Sequence, residues 1–214
     1  MAHMSRAEGV IKFQLDYVPG PPPAENQIAH LNGWRRILYL SKLIGQDASR
    51  YGGYGYGNLS CRLAPFKAKP NRRKFVISGS QTGHLPKLSP SHYAVVEAYD
   101  PDRYRVSATG PIEPSSESLT HGIIYDLMPS AQCVMHAHSP EIWHNADGLG
   151  IPVTSASATY GSPELITEIK GLLQDKPPPL FSMGGHQDGI VAFGTNVEEA
   201  GCLLVRALAR ALSG

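Results

Sequence analysis

The chain has 214 residues, 42% of them hydrophobic and 17% charged, enough for one generous domain with a core of its own. A formal net charge of +1 gives no long-range field, which argues against nucleic acid or an anionic membrane as partner. No apolar run reaches the ~18 residues of a membrane span, no signal peptide opens the chain, and Cys61, Cys133 and Cys202 are odd in number and far apart, so free thiols in a reducing cytoplasm are expected.

Met1 to Met4, MAHM, reads as a vector remnant, and VPGPPPAENQ (18–27) as an extended, proline-rich surface stretch. Residues 1–23 are therefore set apart from a single domain over residues 24–214. The apolar spacing of Ile28, Leu31, Ile37, Leu38 and Leu43 predicts a helix from Ala24 to Gly45. YGGYGYGN breaks it, and NLSCRLAP alternates as a short strand. Further strands are expected at KFVIS (74–78), HYAVVEAYD (92–100) and Tyr104 to Thr109. PSSESLTHGIIYDLM (114–128) reads as a helix capped by Ser115 or Ser116.

AQCVMHAH (131–138) is the next strand, and SPEIWHNADGL opens a helix with Ser139 as cap and Pro140 in its first position. IPVTSAS is expected as a strand and SPELITEIKGLL as a helix capped by Ser162. DGIVAFG (188–194) is a buried strand, and Thr195 with Glu198 suggests a capping box for the last helix. Strands often follow one another without alternating helices, which predicts one α/β domain with a mixed or mostly antiparallel sheet and helices on its faces.

Residues two apart on a strand share a face, so His136 and His138 present two imidazoles side by side while Ala137 points the other way. That arrangement suits two ligands on one metal, and equally a pair of satisfied core histidines. A third ligand would complete an open zinc site, and His186, after Gly184 and Gly185, is the best candidate. Glu117 stands at a helix start, where the dipole favours a carboxylate whether it does chemistry or only caps. His121, one turn on, reads as packing or solvated rather than ligating.

YGGYGYGNLSCR follows a helix and enters a strand, the reverse of a dinucleotide-binding loop. Its glycines beside Asn58 and Ser60 could still bring amides and polar side chains to an anion, as could GSQTG (79–83) and PSSE (114–117). Ordinary turns use the same residues.

In this order, GNLSCR (57–62), VISGSQTGHLPKLSP (76–90), EPSSESLTHGIIY (113–125), VMHAHSP (134–140) and GGHQDGIVAFGTNVEEA (184–200) resemble the class II aldolase/adducin family over Ala24 to Leu212. The resemblance implies Zn2+ on His136, His138 and His186, with another divalent transition metal as the alternative, and Glu117 as catalytic acid/base. It implies substrate or phosphate contacts at Asn58, Ser60, Ser115 and Ser116, and at Thr82 and Gly83, with Ser78 and Gly79 as the alternative step. It also implies a three-layer α/β/α sandwich around a mostly antiparallel sheet, and a homotetramer with sites near subunit boundaries. The implied activity is a lyase acting on a C–C bond of a small sugar-like substrate, phosphorylated or not, through a metal-stabilised enediolate. Dehydration, epimerisation and decarboxylation at the same centre are the alternatives, and an adducin-like interaction module is the contrasting class.

Two departures stand out. The family's aldolases place a tyrosine between the HxH helix and the last ligand, and another in a C-terminal tail; here that segment holds only Tyr160, and the chain stops at Gly214. Asp188 follows the third ligand and is a candidate to orient His186.

Overall fold

A computed structural model describes residues 9–175 and 177–213; the MAHM remnant lies outside them. The described chain runs β1 (Gln14–Pro19), α1 (Glu25–Leu40), β2 (Gly45–Gln46), β3 (Gly55–Tyr56), β4 (Asn58–Arg62), β5 (Phe75–Ser78), β6 (Tyr93–Asp100), β7 (Arg105–Gly110) and α2 (Ser118–Leu127). It continues through β8 (Cys133–His138), α3 (Pro140–His144), α4 (Pro163–Leu172), β9 (Leu180–Ser182), β10 (Gly189–Gly194) and α5 (Val197–Ala211). Eight strands form one sheet in the order β1-β7-β6-β5-β4-β8-β10-β9. Its pairings are antiparallel except β1 on β7.

Period-two alternation sorts the side chains into two cores. Leu59, Val76, Met135, Ala137, Ile190 and Ala192 join Ile28, Leu31, Leu38, Ile142 and Leu204 of α1, α3 and α5 on one side. Phe75, Ile77, Val134, Val191 and Phe193 join Leu119, Ile123, Leu165 and Ile169 of α2 and α4 on the other. The result is the expected three-layer α/β/α arrangement around a largely antiparallel sheet.

Several local expectations are corrected. α1 ends at Leu40 rather than Gly45; Leu43 and Ile44 are buried in the turn that follows, their amides both bonded to the Leu38 carbonyl. IPVTSAS forms no strand and pairs with the sheet through an isolated bridge from Val153 to Ser182. Gln14–Pro19 and Leu180–Ser182 are strands the sequence did not announce. α2 begins at Ser118 with Glu117, not Ser115 or Ser116, in the capping position. The α5 box lies one residue on from Thr195 and Glu198: Asn196 accepts from the Glu199 amide, and the Glu199 carboxylate accepts from the Thr195 amide. Ser139 and Ser162 cap α3 and α4 as expected.

The cysteines also differ from expectation. Cys61 and Cys133 form a disulfide between β4 and β8, where they stand directly opposite with Cα atoms 4.3 Å apart. Only the sheet register brings together residues separated by 72 positions; Cys202 is free.

Candidate metal and catalytic site

β8 carries Val134 into the α2/α4 core, and the same alternation brings His136 and His138 to that face at the strand's end. His136 Nδ1 donates to the Ile190 carbonyl at 3.2 Å, leaving Nε2 with its lone pair, 3.0 Å from His138 Nε2. Burial, with the neighbouring His186 adding to it, holds both imidazoles well below the usual histidine pKa and therefore neutral.

His186 reaches them through a tight turn. A Cβ on Gly184 would lie 2.2 Å from the Thr154 carbonyl oxygen, and one on Gly185 2.2 Å from that of Ala158, so only glycine fits at either place. The His186 ring stacks on His136 at 5.0 Å and stands edge-on to His138 at 4.8 Å. Possible ligand atoms of the three buried histidines all lie within 4.8 Å of one another.

Glu117, 1% exposed, completes the cluster with Oε1 3.6 Å from His186 Nδ1. The β7–α2 connection places it: Gly79 bridges to Pro114, the Ser115 amide donates to the Ser78 carbonyl, and the Ser115 hydroxyl accepts from the Glu117 amide. It stands in the capping position at the start of α2.

Of the other expected contacts, Asn58 stands opposite His136 on β4, buried, and its Oδ1 has no hydrogen-bond partner among the described residues. Ser115 and Ser116 are buried beside Glu117. Ser60 points into the core, its hydroxyl shared by His121 Nδ1 and the Tyr125 hydroxyl at 2.7 Å each, and so differs from the anion contact anticipated for it. His121 thus has the packing role expected of it. The backbone that joins GSQTG to Ser115 runs through Ser78 and Gly79. Thr82 instead donates back to the Gly79 carbonyl, and Gly83 packs under Gly45 and Tyr56.

Asp188 does not orient His186; its carboxylate accepts from the Tyr51 hydroxyl at 2.6 Å. Tyr51 went unrecognised in the sequence. Its ring lies 4.6 Å from that of His138, and burial, then the bond to Asp188, pushes its phenol pKa upward. Tyr51 and Asp188 both have left-handed backbones, with φ of 51° and 61°. Tyr160 packs on His186 at 4.9 Å, and Lys12, also unrecognised, lies over Tyr160. Between them a cavity of about 170 Å³ opens onto His186.

Three buried imidazoles fit a divalent transition-metal ion. Two ligands about 2.0–2.1 Å from a tetrahedral ion stand about 3.3 Å apart, close to the 3.0 Å between His136 and His138. With Glu117 beside them, the group can hold a cation and move a proton next to it.

Sequence comparison with curated proteins gives no significant match. The chain is similar in structure to an L-fuculose 1-phosphate aldolase (TM-score 0.64, 19% identity, 89% of this chain and 84% of that one). The L-fuculose-1-phosphate aldolase of Thermus thermophilus gives 0.63, 18%, 88% and 92%, and the sugar-phosphate aldolase of Thermotoga maritima 0.62, 16%, 88% and 94%. These identities carry the fold alone. Residues 36–210 match the family described as class II aldolase and adducin N-terminal domain, and the chain belongs to that family.

Proposed function

We propose that the chain is a zinc-dependent lyase that makes or breaks a C–C bond in a small, sugar-like substrate. The observation that carries this reading is the convergence of His136, His138 and His186 with the Glu117 carboxylate 3.6 Å from His186. When bound, the ion supplies a Lewis acid that polarises a carbonyl and takes up negative charge developing there. Glu117 moves the proton at the adjacent carbon, since among the described residues it is the carboxylate closest to the triad and is shielded from bulk water. Asn58, Ser115 and Ser116 hold the polar or phosphorylated end and fix the reacting carbon over the histidines. The sugar-phosphate aldolases of similar fold support that substrate class.

A second reading, dehydration, epimerisation or decarboxylation at the same centre, is favoured by one observation. The tyrosine hydroxyls nearest the triad are engaged, Tyr51 on Asp188 and Tyr160 on the Val10 carbonyl, so neither is turned to a departing aldehyde. An adducin-like module has no need of three buried imidazoles. Following the family resemblance, we also read the protein as a homotetramer with sites near subunit boundaries; no helix among the described residues is long and apolar enough to cross a membrane.

Metal analysis tests the reading. The purified protein should hold about one zinc per chain and His138→Ala should hold none, whereas Glu117→Gln should keep the metal and lose about 10²–10⁴-fold in turnover. A wild type unable to bind added zinc, or a His138→Ala variant with unchanged metal, overturns it. A panel of ketose and aldose phosphates, hydroxy acids and keto acids then separates aldol cleavage from the alternatives.

A further inference from the structure

Between α1 and β4 the chain forms a small hairpin outside the main sheet. β2 and β3 pair Gly45 with Tyr56 and Gln46 with Gly55, closing a loop whose tip is residues 47–54. The base of this loop is clamped, because a Cβ on Gly83 would stand 2.5 Å from the Gly45 carbonyl oxygen and 2.7 Å from the Tyr56 amide nitrogen. The tip is bonded mainly to itself. The Arg50 amide donates to the Asp47 carbonyl, the Gly53 amide to the Arg50 carbonyl, and the Ser49 amide and hydroxyl to the Asp47 carboxylate. Among the described residues, one hydrogen bond ties the tip to the domain beyond the hairpin, that from the Tyr51 hydroxyl to Asp188 at 2.6 Å. It fastens the tip to the turn that carries His186.

Tyr51 also covers a member of the triad. Its ring stands edge-on to His138 at 4.6 Å and to Tyr56 at 5.1 Å, and Tyr56 lies 5.4 Å from His138. Beneath the two tyrosines His138 is 1% exposed, and Tyr51 forms one wall of the cavity that opens onto His186. Both ends of the Tyr51–Asp188 bond are left-handed, an arrangement that surrounding contacts must hold in place. Gly52 and Gly53 follow at φ of 66° and 77°, where glycine turns without steric cost. A segment with its own closed set of hydrogen bonds and a single outside tie opens at low cost.

We propose that residues 47–54 are a flap latched over the triad by the Tyr51–Asp188 bond, and that the flap swings open to admit substrate. The inference rests on the proposed function, in which the triad is the reacting site, and assigns the device that controls access to it. Closed, the flap keeps bulk water from the ligands while the base of the hairpin stays fixed on Gly83. Open, it uncovers His138 and the cavity beside His186.

The test is footprinting of the metal-free protein in two ways, with zinc uptake measured separately. Hydrogen–deuterium exchange follows the tip, read against β6, so that general loosening is separated from opening of the flap. Carbethoxylation by diethyl pyrocarbonate, located by mass spectrometry, follows His138 against the exposed His84. Tyr51→Phe keeps the ring and removes the hydroxyl; tip exchange and His138 modification should each rise about tenfold, with β6 and His84 unchanged. Asp188→Asn keeps an acceptor on a residue type that tolerates the left-handed backbone, and should stay within about threefold of wild type. Equal rates in wild type and Tyr51→Phe overturn the latch, and faster tip exchange with His138 still protected overturns the flap as its cover. Full zinc uptake with equal rates removes the latch and leaves the proposed function standing. Faster rates in Tyr51→Phe, in a protein unable to hold added zinc, remove the function and leave the latch.

Discussion

His121 sits one helical turn from Glu117, yet it serves the core. Its Nδ1 is bonded to Ser60, the ring is fully buried, and burial pulls its pKa down to about 3 from 6.5. Above pH 6.5 this imidazole is neutral in both folded and unfolded chains and contributes no pH dependence. Below 6.5 the unfolded chain takes up a proton that the native one refuses, so stability falls with pH until about 3. Urea unfolding of metal-stripped protein at pH 7 and pH 5 should show a loss about 2 kcal/mol smaller in His121→Gln than in wild type; equal losses would mean a normally titrating ring. At this scale the pairing of His136 and His138 was legible, because strand alternation alone puts them on one face. Ser60 misled because Asn58 and Ser60 share the α2 side of β4, and only the packing of His121 and Tyr125 decides that the second of them is core. Tyr51 was hidden by its left-handed turn, which spacing does not encode.

α1 and α5 pack side by side on the far face of the sheet, with Gly201 of α5 against Trp34 of α1. A Cβ on Gly201 would come within 2.2 Å of Trp34 Cε3. Gly201→Ala gains about 1 kcal/mol of helix propensity but forces an overpacking that costs about 1–3 kcal/mol. The steric effect wins, and the variant should melt about 2–4 °C lower for each net kcal/mol lost; an unchanged or higher melting temperature would show that Trp34 swings aside freely. The long, amphipathic elements were legible from their periodicity, and so were the serine caps of α3 and α4. The misses are short or locally ambiguous. β9 has three residues paired to β10, β1 runs into prolines that read as loop, and neighbouring hydroxyls and carboxylates compete to cap α2 and α5.

For the whole molecule, residues remote in sequence meet at one end of the sheet: Lys12, Tyr51, Asn58, Glu117, the HxH pair and His186. The general layering was legible from the run of strands, whereas the contact of Lys12 with Tyr160 and the cysteine pairing depend on contacts that no local pattern records. Unfolded without reductant, the protein should titrate one thiol per chain, that of Cys202, and three after reduction. Closing a loop of 72 residues should contribute about 4 kcal/mol, so a Cys61→Ser/Cys133→Ser variant should unfold at lower urea. Three thiols before reduction would refute the pairing. The position of this bond has a further consequence. A slip of one residue between β4 and β8 would turn both imidazoles to the α1 and α5 side and abolish the triad. Cys61 and Cys133 face each other only in the register that sets Asn58 opposite His136. The bond therefore acts as a covalent gauge of alignment, and each chain that carries it has His136 and His138 facing His186.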